Sequence, residues 1–173
     1  MDLRLKKLNA KDTQREYEFF QTMPVVSDFS VNYRGWSFDD FATQAIPDRL
    51  LAANGYGLPA GYVPETYYFL WADNLIVGLF KLHHQLNDRL RSGLGHIRYG
   101  ILPDFRGRHF ATRGLNMMLP IAALTLPAGE REALLTCSRD NEAALQVMRR
   151  SGAAISVTDA QHYYVKLELP ERR

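Results

Sequence analysis

Between residues 96 and 126 the chain changes character twice within a few positions. His96-Ile-Arg-Tyr-Gly-Ile-Leu102 is a β-type run, Pro103 ends it, and Asp104-Phe-Arg-Gly-Arg-His109 is an arginine-bearing turn. From Phe110 to Leu126 apolar residues recur at helical spacing, at Ala111, Leu115, Met118, Leu119 and Ala122. Proline has no backbone N–H to give a sheet, so the strand must stop before Pro103. For the same reason Pro120 predicts a kink in the helix. A helix N-terminus leaves N–H groups unpaired and carries partial positive charge, so a strand feeding such a terminus outlines an anion site. Gly107 allows the backbone to approach a ligand closely. Between residues 89 and 113 there are six arginines (89, 91, 98, 106, 108 and 113) and one acid, Asp104. That excess suits an anionic ligand, although a solvated basic face has the same composition.

The flanking pattern supplies the rest of an α/β domain. Leu3–Leu8 alternates apolar and charged residues, as a half-buried strand does. Asp12 or Thr13 caps a helix running to about Thr22, and Phe38–Leu51 is a second helix interrupted at Pro47. Residues 54–64, with three glycines and two prolines, form a loop. Thr66–Trp71 and Leu75–His83 predict a hairpin. Ala133–Cys137 is a short buried strand. Asp140 or Asn141 caps a helix ending at Gly152, and Ala154–Thr158 with His162–Leu169 closes the chain as a β pair. The order β, α, α, β, β, β, α, β, α, β, β implies one α/β (α+β) domain over residues 1–173, with a mixed, mostly antiparallel central sheet flanked by helices.

Composition narrows the function classes. The chain has 173 residues, 46% hydrophobic and 23% charged, enough for one packed core. A net charge of +2 does not argue for nucleic acid, and RNA-recognition patterns are absent. Cys137 is the only cysteine, which fits a reducing compartment, and we read it as a small buried thiol. The N-terminus has no secretory h-region and no apolar run reaches membrane-spanning length, so the expectation is a cytoplasmic protein without a membrane partner. Adjacent His83 and His84 lack metal-ligand spacing, and no metal is expected.

The turn resembles motif A of the GNAT superfamily of N-acetyltransferases, whose core is Gln/Arg-x-x-Gly-x-Gly/Ala after a strand. Arg106, Gly107 and Ala111 match, and His109 stands at the central glycine. Asn141-Glu-Ala-Ala144, Met148 and Ser151-Gly152-Ala resemble the downstream Asn-x-x-Ala-x-x-x-Tyr-x-x-x-Gly-Phe pattern. Val63-Pro64-Glu65-Thr66, Gly95-His96-Ile97-Arg98-Tyr99 and Leu134–Cys137 are similar to segments of stand-alone bacterial predicted acetyltransferases, so the likeness covers roughly residues 60 to 165.

The resemblance implies direct acetyl transfer from acetyl-CoA to a primary amine of a small molecule or peptide. The cofactor would lie where the strands at 96–102 and 133–137 splay. Tyr99, Gly100 and Ile101 would meet the pantetheine arm. Arg106, Gly107, Arg108, His109, Phe110, Ala111 and Thr112 would hold the pyrophosphate, with Asn141 nearby. Met148 replaces the tyrosine that is the general acid in many relatives, and Thr136 stands where one subfamily has a glutamate base. His96 is therefore the candidate base and Tyr164 a candidate proton donor. A hydrogen-bonded structural histidine and a packing tyrosine are the competing readings of those two residues. The alternative function is a CoA-binding module without efficient chemistry, favoured by His109 and Met148. A homodimer is compatible with the sequence.

Overall fold

The computed structural model describes residues 1–24 and 33–173. The described elements are β1 (Leu3–Lys7), α1 (Thr13–Thr22), α2 (Phe38–Asp40), α3 (Ile46–Ala53), β2 (Glu65–Ala72), β3 (Leu75–His83), α4 (Asp88–Arg91), β4 (Ile97–Ile101), α5 (Phe110–Thr125), β5 (Glu132–Ser138), α6 (Glu142–Arg150), β6 (Ala154–Thr158) and β7 (His162–Glu168). The expected strands and main helices are present. The short α4 and a 3-10 turn at Pro103–Phe105 were not expected.

The expected interruption at Pro47 takes a specific form. Phe41–Ala45 is a π-helical turn joining α2 to α3, and the Ile46 N–H reaches back to Phe41 O. A proline ring crowds the carbonyl four residues earlier, and widening the preceding turn relieves that crowding without ending the helix. Pro120 likewise sits on the exposed side of α5, which continues through it.

The strands form two antiparallel sheets rather than one hydrogen-bonded central sheet. β1-β2-β3-β4 is four-stranded, and β5-β7-β6 is three-stranded. β2 and β3 are apolar on both faces because both faces are covered. On one side Tyr67, Phe69, Trp71 and Leu79 meet Phe19, Phe20, Phe41 and Ile46 from the early helices. On the other, Leu70, Phe80 and Leu82 join Leu115, Met118 and Ala122 of α5 in a core that continues into Leu135, Leu145, Met148 and Val165. Gly114 permits the close approach of α5: a Cβ there would stand 2.6 Å from Phe80 Cε2.

The sheets meet at one point. His96 N–H donates to Leu134 O at 2.7 Å, and Leu134 N–H returns a bond to His96 Nδ1 at 2.9 Å. Gly95 allows this closeness, with φ +67° and a notional Cβ only 2.5 Å from Leu134 O. Two further bonds cross nearby, from Arg98 Nη1 to Thr136 Oγ1 at 3.2 Å and from Thr136 Oγ1 to Gly93 O. Beyond this vertex β4 and β5 carry no ladder, since each belongs to a different sheet.

Candidate active site

The register of β3 and β4 sets which backbone groups face the gap. Leu102 N–H bonds Val77 O and His83 N–H bonds His96 O. Alternate residues of an antiparallel strand bond the same neighbour, so Tyr99 and Ile101 turn their backbone groups away from β3. The Ile101 carbonyl accepts from Arg106 Nε at 3.0 Å, which folds the arginine back over the strand end. The Tyr99 ring stacks on Phe80 at 5.5 Å, and its hydroxyl donates to Ala144 O at 3.2 Å, tying β4 to α6. Burial pushes that phenol above its usual range.

The resulting cleft holds about 700 Å³. Tyr99, Gly100, Ile101, Arg106, Gly107, His109, Phe110, Ala111, Thr112 and Asn141 all line it. Arg108 is the one cofactor candidate that does not; its guanidinium lies over the Phe105 ring at 5.5 Å. Gly107 and His109 both have positive φ, 74° and 60°. The second explains why glycine suits that position: a β-carbon costs about 1–2 kcal/mol in the left-handed region. His109 makes no side-chain cap bond to α5, whose first turn contains no acid. Asn141 does cap α6, accepting from Ala144 N–H at 3.0 Å. No acidic residue is among the described residues lining the cleft, and Thr112 Oγ1 is buried there without a hydrogen-bond partner.

The proton-transfer candidates lie elsewhere. His96 is 1% exposed, outside the cleft, and its Nδ1 is occupied by Leu134 N–H. Burial, with His83 and Arg91 adding repulsion, pushes its imidazole down to about 4. The Leu134 bond fits the reading of a hydrogen-bonded structural histidine, and the other ring nitrogen, Nε2, is buried with no hydrogen-bond partner. Tyr164 is also outside the cleft; its hydroxyl lies 3.0 Å from Ser92 O and 2.9 Å from Asp159 Oδ2. Met148 and Cys137 are both in the core.

Sequence reading missed Met23, Phe105, Ala143, Ala144, Gln146, Val147 and Arg150 as site residues, and these complete the lining. Residues 143, 147 and 150 recur at helical spacing after the Asn141 cap, a periodicity that would have found this face of α6. Met23, just past the end of α1, reaches the cleft through tertiary packing and carries no local signal.

A second polar group, half-buried, lies outside the cleft. Glu65 contacts His83 Nε2 at 2.8 Å and Arg49 Nη1 at 3.3 Å, while His83 Nδ1 lies 3.0 Å from Gly95 O. Burial works to raise the Glu65 carboxyl, but the His83 bond and nearby cations outweigh it and hold it below its usual range. Among the described residues no group of three His, Cys, Asp or Glu could hold a metal ion. No described helix is long and apolar enough to cross a membrane.

Two sheets sharing one vertex, with a helix N-terminus at the mouth of the gap between them, define a ligand-binding α/β domain. The Acetyltransferase (GNAT) domain model matches residues 2–154, and the chain belongs to the GNAT family of acetyl-CoA-dependent N-acetyltransferases. Solved structures share the fold. A ribosomal-protein-S5-alanine acetyltransferase from Vibrio fischeri is 10% identical, with 100% of this chain and 96% of that one covered at a TM-score of 0.69. A GNAT-family acetyltransferase from Streptococcus pneumoniae is 14% identical over 98% and 100% of the two chains, with a TM-score of 0.64. A dodecameric spermidine N-acetyltransferase from Vibrio cholerae is 14% identical over 96% and 93%, with a TM-score of 0.61. No curated protein sequence matches the chain.

Proposed function

We propose that the cleft binds acetyl-CoA and that the protein transfers the acetyl group directly to a primary amine of a small molecule or peptide. The observation that carries this reading is the cleft's chemistry. Outward-facing backbone of the edge strand β4 lies at one side, and an uncapped helix N-terminus with Arg106, His109 and Arg150 lies at the other, without an opposing carboxylate. The first suits an amide-bearing arm and the second a pyrophosphate. Arg106, Gly107, His109, Phe110, Ala111 and Thr112 would hold the phosphates, Tyr99, Gly100 and Ile101 the arm, and Asn141 the region between α6 and the strand.

When bound, acetyl-CoA supplies an activated thioester. The chain's own part is to orient the acceptor, exclude bulk water and offer β4 backbone N–H as a donor to developing oxyanion charge. Cys137 lies in the core and takes no nucleophilic part. With His96 and Tyr164 outside the cleft, we assign removal of the amine proton to water in the cleft. The named relatives that act on a ribosomal protein and on spermidine support an amine acceptor. We further propose a cytoplasmic protein able to form a homodimer, without nucleic acid or metal.

The test is a titration with acetyl-CoA followed by an amine panel read as free thiol. Saturable binding with thiol release on one or more amines supports the reading. Binding without turnover on any amine supports a CoA-binding module instead, and no binding at millimolar concentration overturns both.

A further inference from the structure

His109 carries its ring in a backbone conformation that only glycine adopts freely, φ 60° and ψ 16°. The helix makes no use of that ring, since it caps no α5 N–H. The ring meets α6 instead, with Arg150 Nη1 3.4 Å from His109 Nδ1. A guanidinium can only donate, so in this contact Nδ1 accepts and the ring proton sits on Nε2. Two residues 41 positions apart, on the two helices that flank the gap, are therefore joined at the lining of one cleft. Arg106 is the third basic side chain there, and no described lining residue is acidic. Arg149 is the adjacent arginine at the end of α6, serves the helix dipole equally and does not line the cleft.

Resting on the reading that the cleft holds a CoA thioester, we propose that Arg150 is a phosphate-binding residue for the cofactor and that His109 positions it from across the cleft. The imidazole fixes one guanidinium nitrogen, and the remaining N–H donors are presented to phosphate oxygen. His109 Nε2–H adds one more donor. A glycine at residue 109 would supply only backbone N–H and would leave Arg150 without its rest. The strained backbone at His109 is maintained by this gain in ligand contacts.

Calorimetric titration of wild type, Arg150→Gln, Arg150→Lys and His109→Gly with CoA and with dephospho-CoA tests this, with circular dichroism confirming that each variant is folded. Arg150→Gln should weaken CoA binding about tenfold or more, as loss of a charged hydrogen bond does. It should also flatten the dependence of affinity on salt. Arg150→Lys should recover part of the loss. His109→Gly should weaken binding about threefold to tenfold while thermal stability does not fall, an opposition that a purely structural role would not produce. Equal losses for both ligands assign Arg150 to the pyrophosphate, and a loss confined to CoA assigns it to the 3′-phosphate; either supports the proposal. Wild-type affinity in Arg150→Gln for both ligands overturns it while leaving the cofactor reading intact. Failure of wild type to bind CoA overturns that reading and this proposal with it.

Discussion

His96 seals the vertex between the two sheets, and its titration gives that role a measurable consequence. Burial holds the folded imidazole down at about 4, below its ordinary 6.5. The folded state therefore favours the neutral ring, and the stability this provides is present above 6.5 and lost as pH falls from there towards 4. At pH 5 the unfolded chain holds this proton and the folded chain largely does not, which costs about 2 kcal/mol; at pH 7 the cost is about 0.2 kcal/mol. The perturbation is His96→Asn, whose amide oxygen can still accept from Leu134 N–H but cannot titrate. The assay is urea unfolding at pH 7 and pH 5, followed by fluorescence of Trp36 and Trp71. The variant starts less stable because it is smaller in a buried position. Its deficit should shrink by about 2 kcal/mol at pH 5, because only wild type pays for the histidine. A deficit that stays constant within about 0.5 kcal/mol would refute the reasoning, since it requires a ring that titrates alike in both states. The comparison must be with the variant, because wild type alone hides the effect. Burial raises Glu16 to about 8, helped by Asp12 and opposed by the Asn9 N–H bond. A raised carboxyl contributes stability at low pH that is lost as pH rises from 4.5 to 8, so between pH 7 and 5 it offsets His96 by about 2–3 kcal/mol.

The other predictions address separate parts of the fold. Glu16→Gln should gain about 3 kcal/mol relative to wild type between pH 5 and pH 8, because the amide has no proton to lose; parallel denaturation curves across that range would count against it. Gly114→Ala should destabilise by about 1–3 kcal/mol, since its Cβ meets the Phe80 ring, and should lower Tm by several degrees in a melting experiment. Asn141→Ala removes the cap on α6 and should cost about 1 kcal/mol, with faster amide exchange confined to the first turn of that helix.

Local chemistry made much of this molecule legible. Pro103 and the glycine-arginine turn located the β4-to-α5 corner, and alternation located β1. Asp140-Asn141 marked the start of α6 because a cap is written within four residues, and the structure assigns the cap to Asn141. The division of the sheet was not legible from strand patterning, since period-2 alternation is the same whether a strand's neighbour pairs with it or splays away; the splay between the strands at 96–102 and 133–137 was implied by the motif resemblance. His96 shows the limit at a single residue. The β-type run beginning at His96 was legible, although β4 itself starts at Ile97, and the partner that claims the His96 ring, Leu134, is 38 positions away. Tyr164 was displaced similarly, by Ser92 and Asp159. Arg150 carried a usable signal in its spacing from Asn141, whereas the π turn before Pro47 depended on the geometry of relieving a clash.

The division into two sheets has a consequence for how the chain is held together. β1–β4 come from residues 3–101 and β5–β7 from residues 132–168, so the cleft runs along a seam between two successive lengths of polypeptide. A molecule lodged there touches both and acts as a removable crosslink, adding RT ln(1 + [L]/Kd) to the work of parting them. A chain nicked in the exposed Pro127–Gly129 turn should therefore reassemble from its two fragments more tightly when that crosslink is present, turning occupancy of the cleft into a signal of fragment complementation.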